Sequence, residues 1–227
     1  MIDLSLILPV HNEEDIIEPV FHEIYKTLEK MSISFETILV ENGSSDNSLE
    51  LIKKLARKYP NTKTLVAPKG YGSAIIAGLK IAKGEYVCYM PSDGQVDMKD
   101  FPRLWDLIKS GKWDIVKIKR RKRESLSRLL VSYSFSLVGK ILFGIPFIDI
   151  NGDPRIFLRK YLNDLDLQYQ DSFIDTEFAV KAHKMGLTIK EIPAKTLIRA
   201  GGKSTRSWRT FTEFFKNLWY FRKRINQ

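Results

Sequence analysis

Short apolar runs alternate along the first half of the chain with stretches in which apolar residues recur every three or four positions. Leu4 to Val10 is almost wholly apolar, and Ile16, Val20, Ile24, Leu28 and Met31 then repeat at helical spacing. Pro19 is tolerated only in a first turn, so that helix is expected to begin near residue 17. Phe35 to Val40 reads as a second strand, closed by the turn residues of Glu41-Asn42-Gly43-Ser44-Ser45-Asp46. A helix over Asn47 to Tyr59, a strand over Thr62 to Ala67, a helix over Ala74 to Ala82 and a strand over Tyr86 to Met90 follow. This alternation predicts an α/β fold with a mainly parallel sheet flanked by helices. Ligands in such sheets lie beyond the carboxyl ends of the strands. His11-Asn12-Glu13, Glu41-Asn42 and the pair Asp93 and Gln95 each follow a predicted strand, and they are expected to converge on one crevice.

After about residue 116 the alternation breaks down. Residues 129 to 147 are strongly apolar, yet their longest uncharged run, Leu129 to Gly139, has eleven residues. A bilayer span needs about 20, so no transmembrane helix is expected. The last twenty residues set Trp208, Phe211, Phe215, Leu218 and Trp219 on one helical face with basic residues around it. Such a helix suits a membrane interface, and it equally suits packing on the domain.

The net charge of +10 is concentrated. Residues 117 to 128 hold seven basic residues against Glu124, and residues 203 to 224 hold seven against Glu213, which leaves the rest of the chain slightly acidic. Focused charge of this kind points to a polyanionic partner, such as phosphate groups or an anionic membrane surface, with two solvated loops as the plainer reading. The lone Cys88 falls in an apolar run, so a buried thiol is expected and no disulfide framework. Three scattered histidines assemble no zinc site. No basic-then-apolar leader precedes the first strand, and a cytoplasmic location is expected.

Two local motifs fail on spacing. "KGYGSAIIAG" would need glycine at position 75 to bind a dinucleotide, and Ile75 stands there. Its glycines are expected to shape a turn that lets the next helix approach the sheet. "DGQVD" lacks the ligand series of a calcium loop.

Taken in order, "LILPVHNEEDII", "VENGSSDNS", "GYGSAIIAG", "EYVCYMPSDGQ" and "RAGGKST" resemble the signature of the inverting family 2 glycosyltransferases of GT-A fold. The resemblance covers nearly all of the first 120 residues and, more loosely, extends to about residue 206. It is greatest to the polyprenyl-phosphate glycosyltransferases, the dolichyl-phosphate mannose synthase type. It implies a GT-A domain over 1–206, with a nucleotide-sugar half (1–116) and an acceptor half (117–206), and a basic aromatic amphipathic tail over 207–227.

Residue by residue, the resemblance assigns Pro9, His11, Glu13, Val40, Asn42, Ser92 and Asp93 to the nucleotide. Arg199 of "RAGGKS" is matched to the donor diphosphate, and Asp93 and Gln95 to a divalent metal, Mg²⁺ or Mn²⁺. Arg120, Arg128 and Ser132 are matched to the lipid phosphate of the acceptor, and Asp149 to a carboxylate near the reacting centre. With Asp93 it forms the expected catalytic pair. Two departures stand out. Pro91 replaces the first aspartate of the Asp-x-Asp metal motif, which weakens metal affinity or makes the ion dispensable. Thr205 replaces a late lysine, with Arg206 beside it.

The chemistry these residues imply is transfer of a sugar from a nucleotide-sugar donor to a polyprenyl phosphate at the membrane surface. A phosphomonoester has a second pKa of about 6, so it attacks without a strong base. Its charge calls for guanidinium partners, which the basic segment supplies. A hydroxyl acceptor would instead need a general base, with Asp149 or Asp175 as candidates. Two alternatives stay open: transfer to a soluble sugar or glycan hydroxyl, and an inactive nucleotide-sugar or lipid-phosphate-binding module. Nucleic acid is not expected as a partner, since no such motif occurs. Peripheral membrane attachment is expected, and exposed tail aromatics leave oligomerisation open.

Overall fold

The computed structural model describes residues 1–120, 142–145, 149–197 and 208–225, with the side chains of the last helix described over 216–224. Seven strands form one sheet in the order β3-β2-β1-β4-β6-β5-β7. They are β1 (Leu4–Val10), β2 (Phe35–Glu41), β3 (Thr62–Val66), β4 (Tyr86–Tyr89), β5 (Ile115–Arg120), β6 (Arg155–Leu158) and β7 (Ile189–Ala194). All run parallel except β6, which pairs antiparallel with both β4 and β5.

The unbroken apolar runs lie centrally. Every residue of β1 and β2 is buried, as expected of strands covered on both faces. One layer of helices is α1 (Ile17–Lys30), α2 (Ser48–Lys58) and α4 (Phe101–Lys109), closing a core around Leu6, Leu8, Phe21, Ile52 and Leu104. The opposite layer is α3 (Tyr71–Ile81) and α5 (Ile174–Lys184), over Ile7, Val40, Tyr89 and Phe157. Cys88 is buried and free, as its setting in β4 predicted.

α1 begins at residue 17 with Pro19 in its first turn. α3 starts earlier than its apolar spacing suggests, because Tyr71-Gly72-Ser73 are already helical. The glycines there serve close approach. A Cβ at Gly70 would lie 2.3 Å from the Gln170 carbonyl oxygen, one at Gly72 would lie 2.1 Å from that of Tyr169, and one at Gly78 would strike Ile7 on β1. Beyond residue 116 the sheet continues. β5 crosses that position, and the second half of the chain adds β6 and β7 to the same sheet.

The last helix, α6 (Trp208–Ile225), turns Leu218 and Phe221 into a small cluster with Ile145, Ile150, Phe173 and Val180. Asn217 donates to Asp171 at 2.6 Å and Arg224 to Gln168 at 2.8 Å, so the tail packs on the domain. Trp219 is not on that buried face; it is 55% exposed. Among the described residues, no helix is long and apolar enough to cross a membrane.

Candidate functional site

In a sheet of this order the chain crosses between β1 and β4 after β3, which makes a switch point where crevices form. The β1, β2 and β4 loops meet at that end. Pro9 sits in register with Val40 and beyond the last β1–β4 pair, Ile7–Tyr89, so its missing N–H costs no ladder bond. The Ser92 hydroxyl donates to the Pro9 carbonyl at 2.7 Å, which ties the loop after β4 to the end of β1. The Asn42 amide N–H donates to the Val10 carbonyl at 3.1 Å.

The first two loops are stitched along their length. Asn12, at φ 53°, donates its amide to Ser44 Oγ and accepts from the Ser45 amide at 2.8 Å. The Glu13 amide donates to the buried Ser48 hydroxyl at 2.9 Å. Glu41 accepts from the Ser44 amide. Glu13, Asn42 and Ser92 are all nearly inaccessible. Among the described residues, His11 Nδ1, Asn42 Oδ1 and Ser73 Oγ are buried without a hydrogen-bond partner. Buried polar atoms in folded proteins are rarely left so, and such atoms beside a crevice point to a ligand that completes them.

The Asp93 Oδ1 accepts from the Gln95 amide at 3.1 Å, a turn eased by Gly94 at φ 73°. Val96 bridges Thr196, and the Leu197 amide donates to the Gln95 carbonyl at 3.0 Å. The late segment therefore reaches the Asp93 loop two residues before Arg199, which itself lies outside the described residues, as do Arg128 and Ser132. As a metal site the loop offers one carboxylate and one amide, and Pro91 leaves no second acid. No cluster of three His, Cys, Asp or Glu suited to a metal occurs among the described residues. The donor set fits a divalent ion whose remaining ligands are substrate phosphate and water.

The cluster around Asp149 is built differently. Arg120 at the end of β5 grips Asp149 twice, Nε to Oδ2 at 2.8 Å and Nη2 to Oδ1 at 2.7 Å, and its backbone N–H donates to the same carboxylate. Burial alone would raise the Asp149 pKa, but the Arg120 bonds and charge, with Lys117, hold it well below the usual carboxylate range. Asp175 lies beneath, on α5. Burial raises it, Arg155 opposes and Asp153 adds to the rise, which leaves it at about 6. Asp175 is inaccessible, paired with Arg155 at 2.9 Å and accepting from the Tyr89 hydroxyl at 3.3 Å.

Two members of this cluster escape a reading of the sequence. Lys117 counts there among surface cations, yet it is buried, donates to the Asp149 carbonyl and pairs with Glu191 at 3.6 Å. Burial lowers its pKa to about 8, with Arg155 adding to the fall. Arg155 opens the strand "RIFL" and is 1% exposed. A single charge heading an otherwise apolar strand was the available signal.

With this geometry in place, comparison with known proteins identifies the surroundings. Residues 5–170 match the model of the family described as Glycosyl transferase family 2. The chain is 29% identical over 232 aligned positions to a dolichol-phosphate mannosyltransferase of Pyrococcus furiosus, covering 97% of this chain and 64% of that one. It is 32% identical over 124 positions to an undecaprenyl-phosphate 4-deoxy-4-formamido-L-arabinose transferase of Proteus mirabilis, covering 53% and 38%. A dolichyl-phosphate beta-glucosyltransferase ALG5A of Trichomonas vaginalis is 28% identical, covering 85% and 65%. The chain thus spans less than two thirds of the length of each of these curated relatives. Among solved structures, glucosyl-3-phosphoglycerate synthase from Mycobacterium tuberculosis, in complex with Mn²⁺, UDP and phosphoglyceric acid, superposes with a TM-score of 0.73 at 18% identity, over 95% of this chain and 75% of that one. That likeness shows the fold, a mixed α/β sheet of GT-A type.

Proposed function

Since the chain belongs to glycosyl transferase family 2, we propose that it moves a sugar from a nucleotide-sugar donor to a polyprenyl phosphate at a membrane surface, with inversion at the anomeric carbon. The observation that carries this reading is the state of the two carboxylates suited to serve as a base. Asp149 is clamped by Arg120 and holds its proton weakly, and Asp175 is sealed behind Arg155 and Tyr89. An acceptor hydroxyl would find neither of them able to take its proton. A phosphomonoester is already mostly ionised at neutral pH and needs no base. The names of the three curated relatives support the same acceptor class.

In this reading the nucleotide lies over the ends of β1 and β2, where His11, Glu13 and Asn42 meet it, with Pro9, Val40 and Ser92 shaping the floor. Asn42 Oδ1 and His11 Nδ1 gain partners from the ligand. Asp93 and Gln95 are the residues that would hold a divalent ion, which when bound offsets charge on the departing diphosphate. Arg199 shares that role from the segment that begins beside Gln95. On the acceptor side Asp149 takes the Nε–Nη2 edge of Arg120 and thereby turns the remaining Nη1 donors toward a phosphate, with Arg128 and Ser132 completing the site. Preorganised guanidinium of this kind orients the attacking oxygen at little entropic cost. Membrane attachment is assigned to the outer face of α6. Trp219 and Tyr220 are exposed there, and Lys223 lies 3.6 Å from the centre of the Trp219 ring beside exposed Arg222 and Arg224.

The test is transfer from radiolabelled UDP- and GDP-sugars to polyprenyl phosphate in detergent, with and without Mn²⁺. Label is expected in the organic extract. Label only on soluble sugars, or none at all across the panel, would refute the lipid acceptor or the activity respectively.

A further inference from the structure

One row of paired residues crosses the sheet near its carboxyl edge: Ile7 on β1, Tyr89 on β4, Arg155 on β6, Lys117 on β5 and Glu191 on β7. Directly paired residues on neighbouring strands project to the same face, so the last four stand side by side, with Tyr89 and Arg155 against Asp175 and Phe178 of α5. Three of them are charged: Arg155 and Lys117 are buried, and Glu191 is partly buried.

Arg155 is the centre of this row. Its guanidinium pairs with Asp153 and Asp175, each at 2.9 Å, and donates to the Ile150 carbonyl at 3.1 Å. It also stacks over the Tyr89 ring at 4.8 Å and the Phe178 ring at 5.1 Å. Asp153 in turn lies 3.4 Å from the Tyr71 hydroxyl on α3. One side chain therefore touches the strand that leads, four residues on, to Asp93, and also the loop that carries Asp149. Lys117 reinforces the second contact by donating to the Asp149 and Ile150 carbonyls.

Buried ion pairs of this kind are seldom more stabilising than a well-packed apolar replacement, because desolvation offsets the attraction. What a hydrogen-bonded guanidinium does supply is a fixed geometry among several partners at once. We propose that Arg155 is a positioning residue that sets the spacing between the donor loop after β4 and the Asp149–Arg120 pair on the acceptor side. The proposal rests on the transfer reading above for its kinetic consequence, though the mechanical coupling stands apart from it.

The experiment compares the full chain with Arg155→Lys and Asp175→Asn. Lysine keeps the charge but cannot span two carboxylates and a carbonyl. A misplacement on the order of 1 Å costs about a hundredfold in rate, so Arg155→Lys is expected to lower kcat at least roughly tenfold while the donor KM stays within about threefold. Asp175 faces Arg155 and Asp153 beside β6, Lys117 and Arg120 on β5, Tyr89 on β4 and Tyr71 on α3. Asp175→Asn, nearly isosteric, removes the charge that Arg155 pairs with and is expected to lower kcat at about pH 8, where Asp175 and the acceptor phosphate are both ionised.

Backbone hydrogen exchange supplies the second readout: in either variant the amides of 90–95 and of 149–153 should lose protection together. Wild-type kcat in Arg155→Lys, an unchanged kcat with raised KM, or exchange confined to 149–155 would overturn the proposal. If Arg155→Lys does not fold, Asp175→Asn decides by the same criteria. Should the wild type transfer nothing to lipid, the functional reading falls, while the exchange data still decide the coupling.

Discussion

The two sides of the crevice treat their polar groups in opposite ways. At the ends of β1 and β2 the side chains of His11 and Asn42 hold buried atoms with no partner among the described residues, and Ser73 at the start of α3 does the same. Across the crevice Lys117, Arg120 and Arg155 are matched by Asp149, Asp153, Asp175 and Glu191 in an interlocked set of pairs. In the proposed reading a ligand supplies partners to the first set. The second is complete without one. If the proposed function holds, the donor side is finished by its substrate, and the acceptor side keeps its shape before the substrate comes.

Substitutions can break this contrast, beginning with the largest expected effect. Asp93→Ala should lower transfer by about a hundredfold or more with the fold retained, since in the proposed reading it holds the ion that offsets charge on the departing diphosphate. A near-normal rate would remove it from the site. Asp149→Ala should instead cost stability, about 3 kcal/mol in denaturant melts, because it strands a largely buried guanidinium. Its pH signature has a definite sign. The folded pKa of Asp149 lies below its unfolded value, so its contribution is present above the ordinary carboxylate pKa and fades as pH falls toward the folded one. The variant should lose that part of the acid slope, and an unchanged slope would show that the pair is not held as described.

Asn42→Ala sharpens the comparison from the other side. Removing an unpartnered buried amide should change the free protein by less than about 1 kcal/mol, yet weaken nucleotide binding roughly tenfold, measured by calorimetry with UDP and GDP. A large loss of stability with unchanged binding would reverse the roles of the two sides. The smallest effect is expected at the tail, where Lys223→Ala should weaken sedimentation with anionic vesicles by about 1 kcal/mol at low salt. Equal binding by the variant would move the membrane contact away from α6.

The sequence made the strand ends of β1, β2 and β4 legible and left the buried charges of β5 and β6 hidden, for physical reasons. β1, β2 and β4 are apolar runs ending in polar loops, so both the strands and the residues beyond them stand out. β5, β6 and β7 do not. β6 has only four residues, β5 carries Lys117 and Lys119 in alternation and β7 has Lys190 and Glu191 side by side, patterns that read as solvated surface. Only the pairing of strands far apart in sequence shows that Lys117 and Arg155 point inward toward acids. The early start of α3 was masked by glycines that elsewhere signal a turn. The tail was legible as an amphipathic helix, but which aromatics face the domain depended on Phe173 and Ile150, residues that no local pattern connects to Leu218 and Phe221.

The reversed direction of β6 has a practical corollary. Its first residue lies at the working edge of the sheet, while its last, Leu158, pairs with Tyr86 at the far edge. The chain that follows, through the exposed Asn163 and Asp164, is thus, among the described strands of the second half, the exit that leaves on the side remote from the crevice. In the proposed reading, a fluorophore or affinity tag attached at those two residues would stay clear of both substrates.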